Sequence, residues 1–386
     1  MKTKASIIIL IIVSAISLQP SFLRAQGALT PPGPPAPTMK TASQIEPRTP
    51  ISSAPFTIMQ PGSYYLTTNV TVSTGDGIDI VTNGVTLDLN GFTISSTAAS
   101  AAGIGILLNS GLRNITIANG FIQGGVTNNG SGVYGGSGFA AGITAQILGP
   151  VPVNVLVSKV SISGCLVFGI VLGTGDSTVV ESCTVRTVGN YGIVASTIKS
   201  SLAIDCGTTA ISGDQVSDSR GQCSGSGDGL DATTALNCYG YSSSGNGLDI
   251  ITAQNCYGES GSGNGLAGYI AQNCYGISDG SGDGAFLLMA LNCYGISYSG
   301  NGEGLYAANT AQSCYGQSDS GEGLYGFTVQ NCNGSSSSGT GIHAYDIATG
   351  SYGRSTTGTG LQAFIANSCD GGGTPALDVT YKYNMP

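Results

Sequence analysis

Three aspartates in the middle of the chain are the residues best placed to do acid chemistry. Asp231 and Asp249 lie 18 residues apart, and Asp228 comes three residues before Asp231. Two carboxylates that are brought close together repel each other unless a cation or a shared proton lies between them. Carboxylate oxygens are also the ligands that Ca²⁺ prefers. The three residues therefore predict either a Ca²⁺ site or a solvated acidic patch, and Arg220 is the nearest candidate base.

Aromatic residues recur in the same part of the chain at a nearly constant spacing. The first set is Tyr239, Tyr257, Tyr275, Tyr294, Tyr315 and Tyr352, interrupted by Asn333. The second set is Phe286, Tyr306 and Tyr325. Rows of exposed rings beside Asn and Ser side chains suit binding to the apolar faces and hydroxyls of sugars, or to another protein. The alternative is that like residues stack on neighbouring strands and only stabilise the fold.

Other catalytic and cofactor signatures are missing from the sequence. His343 is the single histidine, and no constellation of a nucleophile with a histidine is evident. Gly-x-Gly phrases are abundant, but they open no helix and so are not phosphate loops. Phrases of the Gly-Ser-Gly-Asp-Gly type lose their acidic residue in several copies, so we assign them to turns. We expect no cofactor, with Ca²⁺ as the exception if the aspartates are catalytic.

A repeated phrase, Asn-Cys-Tyr-Gly-x-Ser, positions these residues. It returns about every 18 residues, for example from Asn237, Asn255 and Asn273. A fixed period of this kind indicates a stacked array in which no unit can bury its apolar face alone. Sixty-two glycines and the absence of tryptophan favour turns and strands over helices. We predict an all-β, right-handed parallel β-helix of about 15 coils, with a left-handed solenoid of hexapeptides as the alternative.

Alternation within one coil assigns each position to the inside or the outside. Cys, Gly and Ser of the repeated phrase face inward and Tyr faces outward, while Leu of a second phrase, Gly-x-Gly-Leu, faces inward. The glycines are expected at turns that need a positive φ. The cysteines form one inward column that runs from Cys165 through Cys183, Cys206 and Cys223 to Cys369. Because their side chains would point in parallel, we predict 11 buried, reduced thiols.

The N-terminal region predicts a secreted protein. Lys2 and Lys4 precede an apolar run that is too short to span a bilayer, so residues 1–25 are predicted to be a cleaved signal peptide. Residues 26–60 form a proline-rich linker. Residues 61–386 form the β-helix, with irregular coils to about 164, regular coils over 165–370 and a cap over 371–386. We do not expect the mature chain to insert into a membrane.

The first coils resemble a known family of proteins. Residues 61–66, 77–80 and 85–94 are similar to the opening coils of secreted bacterial right-handed parallel β-helix proteins with the pectin-lyase-like fold. The resemblance implies a tendency toward polysaccharides, although the fold hosts lyases, hydrolases, adhesins and proteins without known activity.

The resemblance also implies what a catalytic site would look like. In lyases of this fold, stacked carboxylates bind Ca²⁺ and an Arg or Lys abstracts a proton. Asp228, Asp231, Asp249 and Arg220 are the residues here that match those roles. The hydrolases carry Gly-His-Gly and Arg-x-Lys phrases, and this chain has neither.

From these observations we predict a secreted, non-catalytic β-solenoid that binds glycan or cell-surface partners through its Tyr, Asn and Ser ladders. The net charge of −9 disfavours nucleic acid as a partner. Two alternatives stay open: a polysaccharide lyase or glycoside hydrolase that uses the aspartates, and a purely structural extracellular repeat protein. The sequence does not define the oligomeric state.

Overall fold

The computed structural model describes residues 46–146, 149–175 and 177–385. Within these ranges the chain is all-β and contains no α-helix. Thirty-five strands belong to one continuous sheet, which forms a parallel β-solenoid of about 17 turns. The predicted fold class is confirmed, with about two coils more than expected, and the handedness stays a prediction. The predicted signal peptide, 1–25, lies outside the described residues.

The irregular N-terminal coils contain thirteen strands. They are β1 (Thr49–Ile51), β2 (Phe56–Ile58), β3 (Gly62–Leu66), β4 (Val70–Val72), β5 (Ile78–Ile80), β6 (Val85–Asp88), β7 (Thr93–Ser96), β8 (Ile104–Leu108), β9 (Arg113–Gln123), β10 (Gly125–Asn128), β11 (Tyr134–Ser137), β12 (Ala141–Ala145) and β13 (Val153–Cys165).

Seven strands lead into the regular repeat. They are β14 (Phe168–Gly173), β15 (Thr178–Glu181), β16 (Thr184–Val188), β17 (Ile193–Lys199), β18 (Leu202–Cys206), β19 (Ile211–Ser217) and β20 (Arg220–Cys223).

In the regular coils, a seven- or eight-residue strand alternates with one of three or four residues. The long strands are β21 (Leu230–Leu236), β23 (Leu248–Gln254), β25 (Leu266–Gln272), β27 (Ala285–Leu291), β29 (Leu305–Gln312), β31 (Leu324–Gln330), β33 (Ile342–Thr349), β35 (Leu361–Asn367) and β37 (Leu377–Tyr383). The short strands are β22 (Tyr239–Ser242), β24 (Tyr257–Ser260), β26 (Tyr275–Ser278), β28 (Tyr294–Ser297), β30 (Tyr315–Ser318), β32 (Asn333–Ser336), β34 (Tyr352–Ser355) and β36 (Asp370–Gly372).

The solenoid begins earlier and continues later than predicted. β1 pairs in parallel with β3 and places Ile51 beside Leu66, so the first coil lies inside the predicted linker. Pro50 is tolerated there because its exposed position is on the first strand, where a missing N–H costs little. At the other end, β37 pairs with β35, so residues expected in a cap form a further rung.

Each regular strand pairs in register with its counterpart one coil later. The Leu column of the Gly-x-Gly-Leu phrase shows this, because Leu230 pairs with Leu248 and Leu248 pairs with Leu266. All three side chains are fully buried, which confirms their predicted inward direction. Successive coils therefore place identical residues about 4.8 Å apart, at the spacing of neighbouring strands.

The cysteines are all buried with free thiols, as predicted, but they occupy two columns instead of one. One column contains Cys165, Val188, Cys206, Cys223 and Ser242. The other contains Cys183, Ser201, Ser219, Cys238 and Cys256. The prediction of a single column is wrong. In the coils of Cys206 and Cys223, Cys occupies the first column and Ser the second, whereas in the coils of Cys238 and Cys256 Ser occupies the first column and Cys the second. Both are small enough for either position, so residue type alone does not set the register.

The glycines of the Gly-x-Gly-Leu phrase serve close packing and not the positive φ that we predicted. Gly247 has no left-handed φ, but a Cβ added there would clash with the backbone N of Glu259 and lie 2.6 Å from the carbonyl oxygen of Gly265. Inward glycines therefore allow the coil to pack tightly across its interior.

Asparagine provides the left-handed turn. The Asn of the repeated phrase has φ between 51° and 54° at Asn237, Asn255, Asn273, Asn292 and Asn331. Asn is the non-glycine residue that adopts this conformation most readily. Each coil therefore turns its corner at this residue, immediately before the buried Cys.

Buried serines close the second turn of each coil. Ser260 Oγ donates to the carbonyl oxygen of Gly245 at 2.6 Å and accepts from the backbone N of Gly263 at 2.8 Å. The same arrangement recurs at Ser336, which bonds Gly321 and Gly339. Because the buried Ser at this position of each regular coil from Ser242 to Ser355 donates to a glycine carbonyl, these hydrogen bonds offset the cost of its burial.

An antiparallel hairpin, β10 and β11, interrupts the irregular coils. Asp205 anchors it by accepting hydrogen bonds from Tyr134 Oη at 3.0 Å, Asn128 Nδ2 at 2.6 Å and Thr187 Oγ1 at 2.9 Å. This contact was not predictable from the sequence, since the hairpin and its anchor lie more than 70 residues apart.

We expect Gly247→Ala to lower the free energy of unfolding by about 1–3 kcal/mol, because the new Cβ overpacks the coil against backbone atoms. Gly135→Ala is the matched control, since a Cβ there meets no atom within 4 Å. Chemical denaturation followed by circular dichroism measures both variants. Equal stabilities for the two would contradict the packing role of Gly247.

We expect a thiol reagent to find 11 free thiols in the denatured chain without reductant, and almost none in the native chain. Burial also raises the pKa of Cys165 to about 12, so its reactive thiolate form is scarce at neutral pH. Fewer than 11 thiols in the denatured, unreduced protein would show that disulfides form.

Candidate functional site

The first aromatic set forms an exposed stack along the short strands. Neighbouring ring centroids from Tyr239 through Tyr257, Tyr275 and Tyr294 to Tyr315 lie 5.4, 5.2, 5.7 and 5.8 Å apart. We call these five residues the Tyr column. Its rings point outward as predicted, and half of the Tyr294 surface is exposed. Tyr352 is also exposed, but Asn333 separates it from the stack.

Stacking determines which part of each ring the Tyr column shows to solvent. The first two ring pairs are nearly parallel, at 9° and 3°, so neighbouring rings cover each other's faces. The outer face of Tyr239 is covered by the guanidinium of Arg220, 4.7 Å from the ring centroid. The Tyr column therefore presents ring edges and hydroxyl groups. The hydroxyl of Tyr239 donates to Glu259 Oε2 at 3.1 Å.

A row of side-chain amides runs beside the Tyr column. Asn255 Nδ2 donates to Asn237 Oδ1 at 3.2 Å, and Asn273 and Asn292 continue the row at 3.2 and 3.3 Å. The row ends at Asp218, which accepts from Asn237 at 3.0 Å. We call this set the Asn row. A groove of about 610 Å³ adjoins the N-terminal ends of the Tyr column and the Asn row. Arg220 is one of the residues that line it.

The second aromatic set lies on the long strands. Phe286, Tyr306 and Tyr325 stack with centroids 4.9 and 4.8 Å apart, and the ring of His343 meets the last of them edge-on at 5.2 Å. Glu322 Oε1 lies 2.7 Å from His343 Nδ1, and this hydrogen bond raises the pKa of the imidazole. His343 thus has an acidic partner that the sequence did not reveal.

A third row of exposed apolar side chains was missed at the sequence level. It occupies the fourth position of the long strands. The fourth and fifth residues of these strands both point outward, which breaks the alternation. Its members are Ile251, Tyr269, Leu288, Phe327, Tyr345 and Phe364. We call it the apolar ridge. Aligning the strands on their Gly-x-Gly-Leu phrases would have revealed it, because a strict period of two already assigns the fourth position to the outside and the alternation fails only at the fifth.

A hollow lies between the second aromatic set and the apolar ridge. Its volume is about 470 Å³, and Asp249, Asn264, Gly268, Tyr269 and Phe286 line it. It exists because Ala267 and Gly268 have almost no side chain where the neighbouring coils carry larger ones. We call this cavity the 267 hollow.

The structure brings the three predicted aspartates together. Asp231 pairs directly with Asp249 in the parallel ladder, and both line a second cavity of about 260 Å³. Burial raises the pKa of Asp228 to about 6, and repulsion from Asp249 and Asp231 adds to the rise. The pKa of Asp231 is raised by burial and by Asp249.

Arg220 does not join the aspartates. It belongs to β20, in the column that continues with Tyr239, whereas Asp231 lies on β21. Arg220, the base predicted for a lyase mechanism, is therefore not part of the aspartate cluster. Among the described residues, no group of three or more His, Cys, Asp or Glu side chains is arranged to hold a metal ion.

No protein-family model matches the chain, and no curated protein matches it significantly. None of the described residues forms a helix with the length and hydropathy of a membrane span. What the chain binds must therefore be argued from its own surface.

We expect the stability difference between Asp228→Asn and the native chain to depend on pH. The folded-state pKa of about 6 exceeds the ordinary value of 3.8, so the folded state holds this proton more tightly. The resulting stabilisation is present below about pH 4 and is lost as the pH rises through 6. Asn does not titrate, so the Tm of Asp228→Asn should rise relative to the native protein between pH 4 and 7. Asp319→Asn, at an exposed site, is the control, and a difference independent of pH would contradict the assignment.

Proposed function

We propose that this chain is a secreted, non-catalytic β-solenoid that binds extracellular or cell-surface glycans along the Tyr column and the Asn row. The observation that carries the proposal is the side-by-side display of hydroxyls and amides over consecutive coils. Ring centroids repeat every 5.2 to 5.8 Å, which is close to the length of one sugar unit in an extended chain. A polymer lying along the solenoid axis would thus meet a similar set of polar groups at each unit.

The chemistry of the strip supports a hydroxylated ligand. Because the rings cover each other's faces, binding relies on hydrogen bonds from Tyr hydroxyls and Asn amides rather than on stacking of sugar onto Tyr. Each amide uses one N–H in the Asn row and keeps a second for a ligand. The net charge of −9 disfavours polyanionic glycans, so neutral or cationic polymers fit better.

Retention of the full chain on insoluble cellulose, chitin and chitosan tests this proposal, with polygalacturonate beads as the acidic comparison. Tyr257→Phe, Tyr275→Phe and Tyr294→Phe are combined, which keeps the stacked rings and removes three hydroxyls. Losing up to three hydrogen bonds should weaken retention about tenfold or more, with little change in Tm. The control is Tyr191→Phe with Tyr383→Phe, at exposed sites outside the Tyr column.

Three results would overturn the proposal. Native protein that is retained neither on the two neutral polymers nor on chitosan, a cationic one, would favour a purely structural role. Unchanged retention of the triple Phe variant would remove the Tyr column from the binding surface. Release of unsaturated sugars from acidic polysaccharide in the presence of Ca²⁺ would establish the lyase alternative.

A further inference from the structure

The second aromatic set stops abruptly at one end. The outward position of the long strands reads Asp231, Asp249, Ala267, Phe286 and Tyr306 along successive coils. Phe286 stacks on Tyr306 at 4.9 Å and 11°, but on its other side the neighbour is Ala267. The stack therefore ends in an aromatic face without an aromatic partner, whereas the corresponding N-terminal end of the Tyr column is covered by Arg220.

The strand spacing allows one ring in front of this face, above the Ala267 side chain, which is 8% exposed. Asp249 and Phe286 are two coil steps apart, which corresponds to roughly 10 Å at the usual strand spacing. A ring placed between them would lie about 5 Å from each, the separation already seen between Phe286 and Tyr306. Tyr269, 58% exposed, forms a side wall, and Asn264 also lines the hollow.

The charge at the far side of the hollow is negative. Asp249 lines the 267 hollow and also the adjoining cavity that contains Asp231. No Lys or Arg of the described chain lines either cavity. A positively charged group in the hollow would reduce the repulsion between the two carboxylates and would also be attracted to the aromatic face.

We propose that the 267 hollow is a subsite for one amino-sugar ring, which stacks on Phe286 and directs its ammonium group toward Asp249 and Asp231. The ligand thus takes the place of the aromatic side chain that position 267 lacks. This inference rests on the proposed glycan binding and adds to it a ligand class, because acidic sugars are repelled and N-acetylated sugars lack the positive charge.

Isothermal titration calorimetry of the full chain with three soluble trisaccharides tests the subsite. The probes are trimers of glucosamine, N-acetylglucosamine and galacturonic acid. We expect the glucosamine trimer to bind at least about tenfold more tightly than the N-acetylated trimer, since a hydrogen bond to a charged group contributes about 1.5–3 kcal/mol. We expect no binding of the acidic trimer. Equal affinities for the first two trimers, or tighter binding of the acidic one, would overturn the proposal.

Ala267→Phe separates a binding role from a structural one. The new ring would continue the stack onto Phe286 and fill the hollow, so it should abolish binding of the glucosamine trimer while the Tm stays the same or rises. Gln362→Phe is the matched control, because it adds a ring to the same outward row beyond His343, away from the hollow. It should leave the affinity unchanged. Retained binding in Ala267→Phe would exclude the hollow as the site.

A second variant covers the case in which Ala267→Phe does not fold. Asp249→Asn keeps the size of the side chain and should reduce the preference for glucosamine over N-acetylglucosamine about tenfold. An unchanged preference would contradict the role of the carboxylate. Polymer retention through the Tyr column is a separate readout. Retention without binding of the trimer refutes only the subsite, and binding of the trimer without retention refutes only the proposed polymer surface.

Discussion

Parallel, in-register pairing is the constraint on which the structure depends. Every residue of a regular coil lies beside its counterpart one coil later, so each side chain must tolerate a near copy of itself at the strand spacing. Buried positions meet this requirement with small groups such as the Cys thiol and the Ser hydroxyl, or with aliphatic groups such as Leu. Charged residues do not satisfy it inside the coil, and the chain is only 9% charged.

The sequence predicted those properties that repeat with the coil. Alternation correctly assigned Leu248 and Cys256 to the interior and Tyr257 to the surface, because each position recurs often enough to average out individual substitutions. It failed where two residue types suit one position. Cys206 lies in one inward column and Ser201 in the other. Each column contains both Cys and Ser in different coils, so the residue type does not identify the column. The left-handed turn was also assigned to the wrong residue: asparagine makes it, and the glycines of the Gly-x-Gly-Leu phrase permit close packing.

The candidate site was predicted in part. Its aromatic rows, the pairing of Asp231 with Asp249 and the outward direction of the apolar ridge follow from the period, whereas the outward fifth position of the long strands does not, because the alternation is lost there. Whether an aromatic row shows edges or a face to solvent depends on what ends it. At the N-terminal end, Arg220 covers the first ring of one row, and the small side chain of Ala267 leaves the first ring of the other uncovered. No pattern of spacing contains that information.

The Asn row has a direction as well as a position. All of its amides donate toward the N-terminal end of the solenoid, so their dipoles align and add along the axis in the same manner as peptide units in a helix. The positive end of this array meets the carboxylate of Asp218, and each hydrogen bond polarises the next. The N-terminal end of the Asn row carries a carboxylate and the C-terminal end does not. The two ends of this surface therefore differ in electrostatic potential along the solenoid axis. An extended ligand whose own dipoles share one orientation would therefore bind in a preferred direction.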